Sequence, residues 1–205
     1  MIESHKLTSN QREALFSSFS KTAFIGSRQV GHTESIVKRI ACRLDQGYND
    51  VVLCPSISHS KSVSERVRDD FEGKFTYNKY TNEISTPYST VKFGNYDCDF
   101  ENVSGIHIDN IDTMLQTRLR KFERMLGKGK ITSLFVAGTP QIPSTNIDYI
   151  VNSDDWYVIF DNMENCEFID SEVVGEMRQI LSPVQCLTEI DGMVISDPSE
   201  KADYP

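Results

Sequence analysis

No stretch of the chain approaches the roughly 18 apolar residues of a membrane-spanning helix, and Met1 to Gln11 is polar, so neither a membrane span nor a secretory leader is expected. Positive charge is scarce: 21 Lys and Arg face 30 Asp and Glu, a formal net charge of −9, which excludes a protein that coats nucleic acid through bulk charge. Any contact with DNA requires a local basic patch. Cysteine pairs are missing too. Cys42, Cys54, Cys98, Cys166 and Cys186 are odd in number, widely spaced and form no C-x-x-C, which points to reduced, partly buried thiols in a cytosolic setting rather than a disulfide framework or a zinc site. There is no low-complexity tract and no repeat of fixed period. What remains is an ordinary globular composition, 39% hydrophobic and 25% charged over 205 residues, enough for one domain with a real core.

Turn signals fall between alternating strand-like and helix-like stretches, the pattern of an α/β domain built as a three-layer sandwich. Thr8 to Phe19 reads as a helix capped by Thr8 or Ser9. Thr22 to Ile25 reads as a short strand, and Thr33 to Gln46 carries helical apolar spacing. A β-branched strand, Asp50 to Cys54, breaks at Pro55 ahead of a helix from about Ser58 to Phe71. Thr76 to Asn95 suits an antiparallel hairpin or meander inserted into the parallel pattern. Then come a strand at Ser104 to Ile108, a basic helix from Thr113 to Leu126, and a strongly apolar strand at Thr132 to Ala137. Further elements are a strand near Trp156 to Phe160, a helix at Ser171 to Ile180 and a second helix opened by Ser182 and Pro183. The domain is expected to run from residue 1 to 192, with a polar tail at 193–205 whose last ten residues fray.

Between the first strand and its helix lies Gly26-Ser27-Arg28-Gln29-Val30-Gly31-His32-Thr33. This matches the phosphate-loop spacing G-x-x-x-x-G-K-[ST] except at His32, where lysine is expected. Glycines let backbone N–H groups turn in around phosphate oxygens while the helix offers its positive end to the anion. Thr33 stands where a magnesium ligand belongs. An imidazole is mostly neutral at pH 7 unless a phosphate raises its pKa, and Arg28 is the alternative cation. A glycine-bounded turn between strand and helix also arises in folds that bind no phosphate.

Other stretches bear on the same chemistry. Gly105 to Asp112 is an apolar strand running into acid, which makes Asp109 the candidate holder of a metal-bound water. Asn110 follows, able to hydrogen-bond a water but not to accept its proton, and Asp112 is the candidate substitute base. The strand ending in Gly138-Thr139-Pro140 puts the Thr139 hydroxyl at the carboxyl edge of the sheet, where α/β folds place ligands. Gln11 carries an amide that can pair with an adenine edge, or is a solvent-facing helix residue.

In this order and spacing, these stretches resemble the ATPase domain of phage terminase large subunits, the motors that pump DNA into viral capsids, and its lambda-like class in particular. Ser27 to Glu34 is similar to that family's S-x-Q-V-G-K-T-E loop, Val51 to Pro55 to its next strand, and Thr139-Pro140 to its motif coupling hydrolysis to movement. Asn146 to Cys166 resembles a further segment, with only Cys166 left of the cysteines often found there, and Gln185 to Gly192 resembles the segment that closes the domain. The resemblance implies a P-loop NTPase fold of ASCE or RecA-like type, with a mainly parallel central sheet. It implies ATP and Mg2+ as ligands, with Gln11, Gly26, Ser27, Arg28, Gln29, Gly31, His32 and Thr33 at the nucleotide and Thr33 and Asp109 on the metal. The catalytic set would be Asp109, Asn110, Asp112 and Thr139. It also implies assembly around double-stranded DNA with other terminase or capsid portal subunits, or as a homo-oligomer, in the host cytoplasm. His32 replaces the lysine and Asn110 the catalytic glutamate, and no nuclease domain follows; Asp197-Pro198 and Asp203 are similar to its first acidic strand or are simply a polar tail.

The expected function is ATP binding with weak or lost hydrolysis; the alternative is an inactive assembly or regulatory protein that kept the fold. A helicase-like relative would need a second motor domain. Arg118, Arg120, Lys121 and Arg124 form the candidate DNA surface, on a helix whose other reading is a solvated face. His107 reads as a core histidine, and His5 and His59 have no partner suggested by spacing.

Overall fold

The computed structural model describes residues 7–195; His5, Asp197, Pro198 and Asp203 lie outside them. In chain order the elements are α1 (Ser9–Phe16), β1 (Lys21–Gly26), α2 (His32–Asp45), β2 (Asp50–Cys54), α3 (Ile57–Asp70), β3 (Thr76–Asn78), β4 (Glu83–Ser85) and β5 (Thr90–Asn95). They continue with β6 (Gly105–Asp109), α4 (Gln116–Gly127), β7 (Ser133–Gly138), α5 (Asn146–Val151), β8 (Tyr157–Asp161), α6 (Ser171–Ile180) and α7 (Pro183–Gln185), which runs into a π-helical turn at Cys186–Ile190. The eight strands form one sheet in the order β3-β4-β5-β2-β6-β7-β1-β8. From β5 to β8 every pairing is parallel, and only β3–β4 and β4–β5 are antiparallel.

Strands β2, β6 and β7 are buried along their whole length, as a parallel sheet covered on both faces requires. Alternation then sorts their side chains. Val52, Cys54, Phe135 and Ala137 pack with Ile36, Val37 and Ile40 of α2 and Val63 and Val67 of α3. Val51, Leu53, Ile106, Ile108, Leu134 and Val136 pack with Leu119 and Phe122 of α4 and Ile147 and Ile150 of α5. Because Ile106 and Ile108 face α4, the period of two turns His107 and Asp109 to the α2–α3 side. The meander predicted at Thr76 to Asn95 exists, but β5 joins β2 in parallel, so it extends the main sheet.

The α1 cap is Thr8: its Oγ1 accepts from Gln11 N at 3.1 Å while Gln11 Oε1 accepts from Thr8 N at 3.0 Å. The predicted basic helix starts three residues late, at Gln116, because Ile111–Thr113 forms a 3-10 turn and Leu115 is extended. The helix at Pro183 stops after three residues and passes into the π turn. Helix α5 was not predicted; six residues rich in branched side chains carry no helical period of their own.

One buried charge cluster ties β2 to β6 and α2. Asp50 binds the Arg43 guanidinium through Nε and, at 2.9 Å, through Nη2, and also meets His107 Nε2 at 3.2 Å. Gly105 makes room for it, since a Cβ there would lie 2.7 Å from Asp50 Oδ1.

Candidate active site at the carboxyl edge of the sheet

Strands β1, β2, β6 and β7 end at one edge, and the chain that follows each of them forms a cleft of about 570 Å3 lined by Arg28, Gly31, His32, Thr33, His59, Asp109, Asn110 and Thr139, among others. The loop after β1 turns sharply through two residues in the left-handed region: Gln29 and Gly31 have φ of 64° and 88°. Gly26 cannot carry a side chain, because a Cβ would sit 2.0 Å from Asp161 O of the neighbouring strand. Glycine is required at Gly31 as well, where a Cβ would lie 2.2 Å from Gln11 Nε2. Gly31 is the N-cap of α2 and no side chain caps that helix, so the first-turn N–H groups, which have no intrahelical partners, lie at the cleft without a side-chain cap.

The loop is braced from three sides. Ser27 N donates to Asp161 O at 3.2 Å, Arg28 N to Glu189 O at 2.9 Å and Gln11 Nε2 to Val30 O at 2.7 Å. Gly192 packs so closely behind it that a Cβ would lie 2.9 Å from Ser27 N, which gives the Gln185 to Gly192 segment its role as a backing wall. Gln11 is buried rather than solvent-facing, and both ends of its amide are engaged within the protein. Its position here is that of a brace for the loop.

His32 and Arg28 differ sharply. The His32 ring packs edge-on against Phe24 at 5.1 Å, its Nε2 is sealed from solvent without a partner, and burial lowers its pKa to about 4 against the opposing pull of Asp109. It is neutral at pH 7. The Arg28 side chain is 64% exposed and pairs with Glu189 at 3.3 Å, a contact weak enough for a phosphate to displace. A second cation that the sequence reading passed over, Arg66 of α3, also lines the cleft and pairs with Glu34.

Asp109 is the centre of the site. Its Oδ2 accepts from Thr33 Oγ1 at 2.8 Å and lies 2.8 Å from His59 Nε2. The carboxylate hydrogen bond raises the His59 pKa, with burial opposing. Two hard oxygen donors meeting beneath an uncapped helix terminus fit magnesium and a phosphate chain. His59 was missed because nothing in its spacing names a partner 50 residues away. Its place was foreseeable: Ser56 Oγ accepts from His59 N at 3.1 Å, so the Pro55-Ser56 start of α3 sets that histidine at the same edge as Cys54.

Asn110 follows with φ 60° and its carbonyl accepts from Tyr96 Oη at 2.8 Å. Gly138 permits that backbone approach, since a Cβ would be 3.3 Å from Asn110 Cα. Thr139 reaches the cleft beside it.

Asp112 is corrected from substitute base to helix cap. Its carboxylate accepts from Gln141 N (2.8 Å), Ser144 Oγ (2.9 Å), Thr145 N (3.0 Å), Asn146 N (2.9 Å) and Ile147 N (3.1 Å), and it does not line the cleft. A carboxylate so occupied has no lone pair left for a water's proton. Asp112→Ala is expected to lower the unfolding free energy by about 2–4 kcal/mol, as a lost cap plus stranded buried donors predicts. Urea unfolding measures this. An unchanged midpoint would mean that the cap contributes nothing to stability.

The basic helix α4 lies away from the cleft. Arg118 is held by Tyr96 O and Asp97, and Arg120 stacks on Tyr149 at 3.4 Å and pairs with Glu123 at 3.6 Å. Lys121 and Arg124 are exposed.

No family model matches the chain, and no curated protein sequence does. Solved structures do match. The ATPase domain of the Thermus phage P74-26 large terminase superposes with a TM-score of 0.78 at 11% identity, over 92% of this chain and 94% of that one. The large terminase of a second phage, a thermophilic bacteriophage, gives 0.76 at 12% identity over 92% of this chain, and that of bacteriophage HK97 gives 0.72 at 10% over 91%. The chain spans about half the length of those last two, 54% and 50%. With superposition over nine-tenths of its length, the chain, a mostly parallel eight-stranded sheet with an antiparallel edge, has the fold of phage large terminase ATPase domains.

Proposed function

We propose that the chain is an ATP-binding module related to the viral DNA-packaging terminase motor, with Mg2+ as its metal and with hydrolysis weakened or lost. The observation that carries this reading is the Thr33–Asp109 hydrogen bond, 2.8 Å long, beneath the uncapped first turn of α2 in the cleft. The large terminase of the second, thermophilic phage has been solved with ADP and with ATP-gamma-S, which supports an adenine nucleotide as the ligand.

The phosphates would lie against the backbone N–H groups of residues 29–33, with Arg28 released from Glu189 to supply the cation that a neutral His32 does not. Thr33 and Asp109 would hold magnesium, whose chemistry there is neutralisation of phosphate charge. Asn110 would orient a water by hydrogen bonding but could not take its proton, and Thr139 would contact the terminal phosphate. Gln11 acts through the loop. The ATPase-like unit is residues 1–192. Of the basic residues expected on DNA, Lys121 and Arg124 remain outward for DNA, a neighbouring copy, or other terminase or portal subunits.

Asn110 in the position after Asp109, with Asp112 taken up as a cap, favours a second reading, a non-catalytic assembly or regulatory protein. Calorimetry with ATP-gamma-S and magnesium should give binding that Arg28→Ala weakens about 10-fold or more, the cost of a charge-assisted hydrogen bond. Loss of one preorganised group typically costs about 10²–10³ in rate, so turnover should be slow, and Asp109→Ala should abolish it. Binding without turnover selects the second reading; no heat with any adenine nucleotide overturns both.

A further inference from the structure

The described residues contain one group of metal-ligating side chains that magnesium does not explain. Cys54 Sγ, His59 Nε2 and an Asp109 carboxylate oxygen lie within 4.8 Å of one another. Each is delivered by a different device: Cys54 ends β2, the Ser56 cap holds His59 in the first turn of α3, and Asp109 ends β6, which pairs with β2 in parallel. We infer that these three side chains form a binding site for a thiophilic divalent cation of the zinc class, sharing Asp109 with the magnesium position.

The donor set decides the class. Magnesium demands oxygen and keeps its waters, whereas one thiolate, one imidazole and one carboxylate suit zinc or cobalt and match three-ligand sites with a fourth position open. In a tetrahedral site with metal–sulfur and metal–nitrogen bonds of about 2.3 and 2.0 Å, ligand atoms sit about 3.5 Å apart. His59 Nε2 already lies 2.8 Å from Asp109 Oδ2, and the His59 side chain, 40% exposed, is free to adjust, while Cys54 and Asp109 are buried at the ends of their strands. His59 and Asp109 line the cleft, from which a fourth ligand would come. The supporting contacts are in place: Thr33 Oγ1 donates to Asp109 Oδ2, and Tyr96 Oη donates to the Asp109 carbonyl at 2.8 Å. On binding, the Cys54 S–H bond breaks as the sulfur–metal bond forms, and the proton leaves to solvent. No nucleotide is needed, so the inference stands apart from the ATP reading.

Cobalt(II) titrated into the reduced, nucleotide-free protein tests it. The expected result is a thiolate-to-cobalt charge-transfer band that saturates at one ion per chain and is displaced by zinc. Cys54→Ser should abolish the band, Cys98→Ser should keep it, and His59→Gln should weaken binding by about 10-fold or more, since even outer-shell partners are worth that much. His59 is half-exposed, so its variant folds even if a change at buried Cys54 does not. No band in the native protein, a band that survives Cys54→Ser, or an affinity unmoved by His59→Gln would overturn the assignment.

Discussion

Asp50→Ala is expected to lower the unfolding free energy by about 3–5 kcal/mol, a large share of what holds a domain of this size together. The carboxylate is wholly buried between the Arg43 guanidinium and the His107 ring, and these hold its pKa well below the usual carboxylate range despite the opposing effect of burial. Removing it strands an arginine whose side chain is 12% exposed and an imidazole that is not exposed at all. The loss is that of an unpaired buried charge and not of a surface ion pair. Asp50→Asn keeps the shape and part of the hydrogen bonding, so it should cost less. Guanidinium unfolding of both variants beside Asp154→Ala, an exposed control expected to move stability by under about 0.5 kcal/mol, separates the cases. A change at Asp50 no larger than at the control would mean that the cluster contributes nothing.

Acid should destabilise the protein earlier than carboxylate protonation alone would. Burial lowers both His107 and His32 from 6.5 to about 4, the former against the pull of Asp50 and the latter against that of Asp109. Between those values the unfolded chain binds protons that the folded one refuses. Stability therefore falls as pH drops from 6.5 toward 4, by up to about 1.4 kcal/mol per pH unit for each ring. Integrated, each contributes about 3 kcal/mol. Two groups act the other way: His59 and Asp161 have raised pKa values, so the folded state holds their protons more tightly and they soften the decline. Asp50, depressed, adds its loss only below the ordinary carboxylate value of 3.8. Unfolding curves at pH 7, 6, 5 and 4.5 should show the decline, and His107→Gln, which cannot titrate, should flatten part of it. A stability profile that stays level down to pH 4.5 contradicts the burial of both rings.

Loop bracing and residue chemistry divide the candidate site differently. Gly26, Gly31, Thr33 and Asp109 stood out because glycine spacing and a strand running into acid are local patterns whose geometry follows from a few adjacent residues. Arg28 and Thr139 met the cleft for the same reason. Asp112 misled because an acid three residues beyond Asp109 looks available until its donors, Gln141 to Ile147, are known. Gln11 is open to a solvent-facing reading because α1, taken alone, has no visible buried stripe; its amide is taken up by Thr8 and by the loop carbonyl of Val30.

By itself the sequence determined the alternation of strands and helices, the bend after β1, and the apolar strand running into acid at Asp109. These follow from steric and hydrophobic rules that act within about ten residues of chain. The tertiary structure alone decided which distant groups share a dielectric environment. His59 and Cys54 come to Asp109, and Asp50 comes to His107, only because β2 and β6 pair in parallel. The segment ending at Gly192 presses on Ser27 only after β8 has docked beside β1. Such meetings depend on the packing of whole layers, which is why a neutral buried His32 and a metal-ligating trio could not be read from spacing.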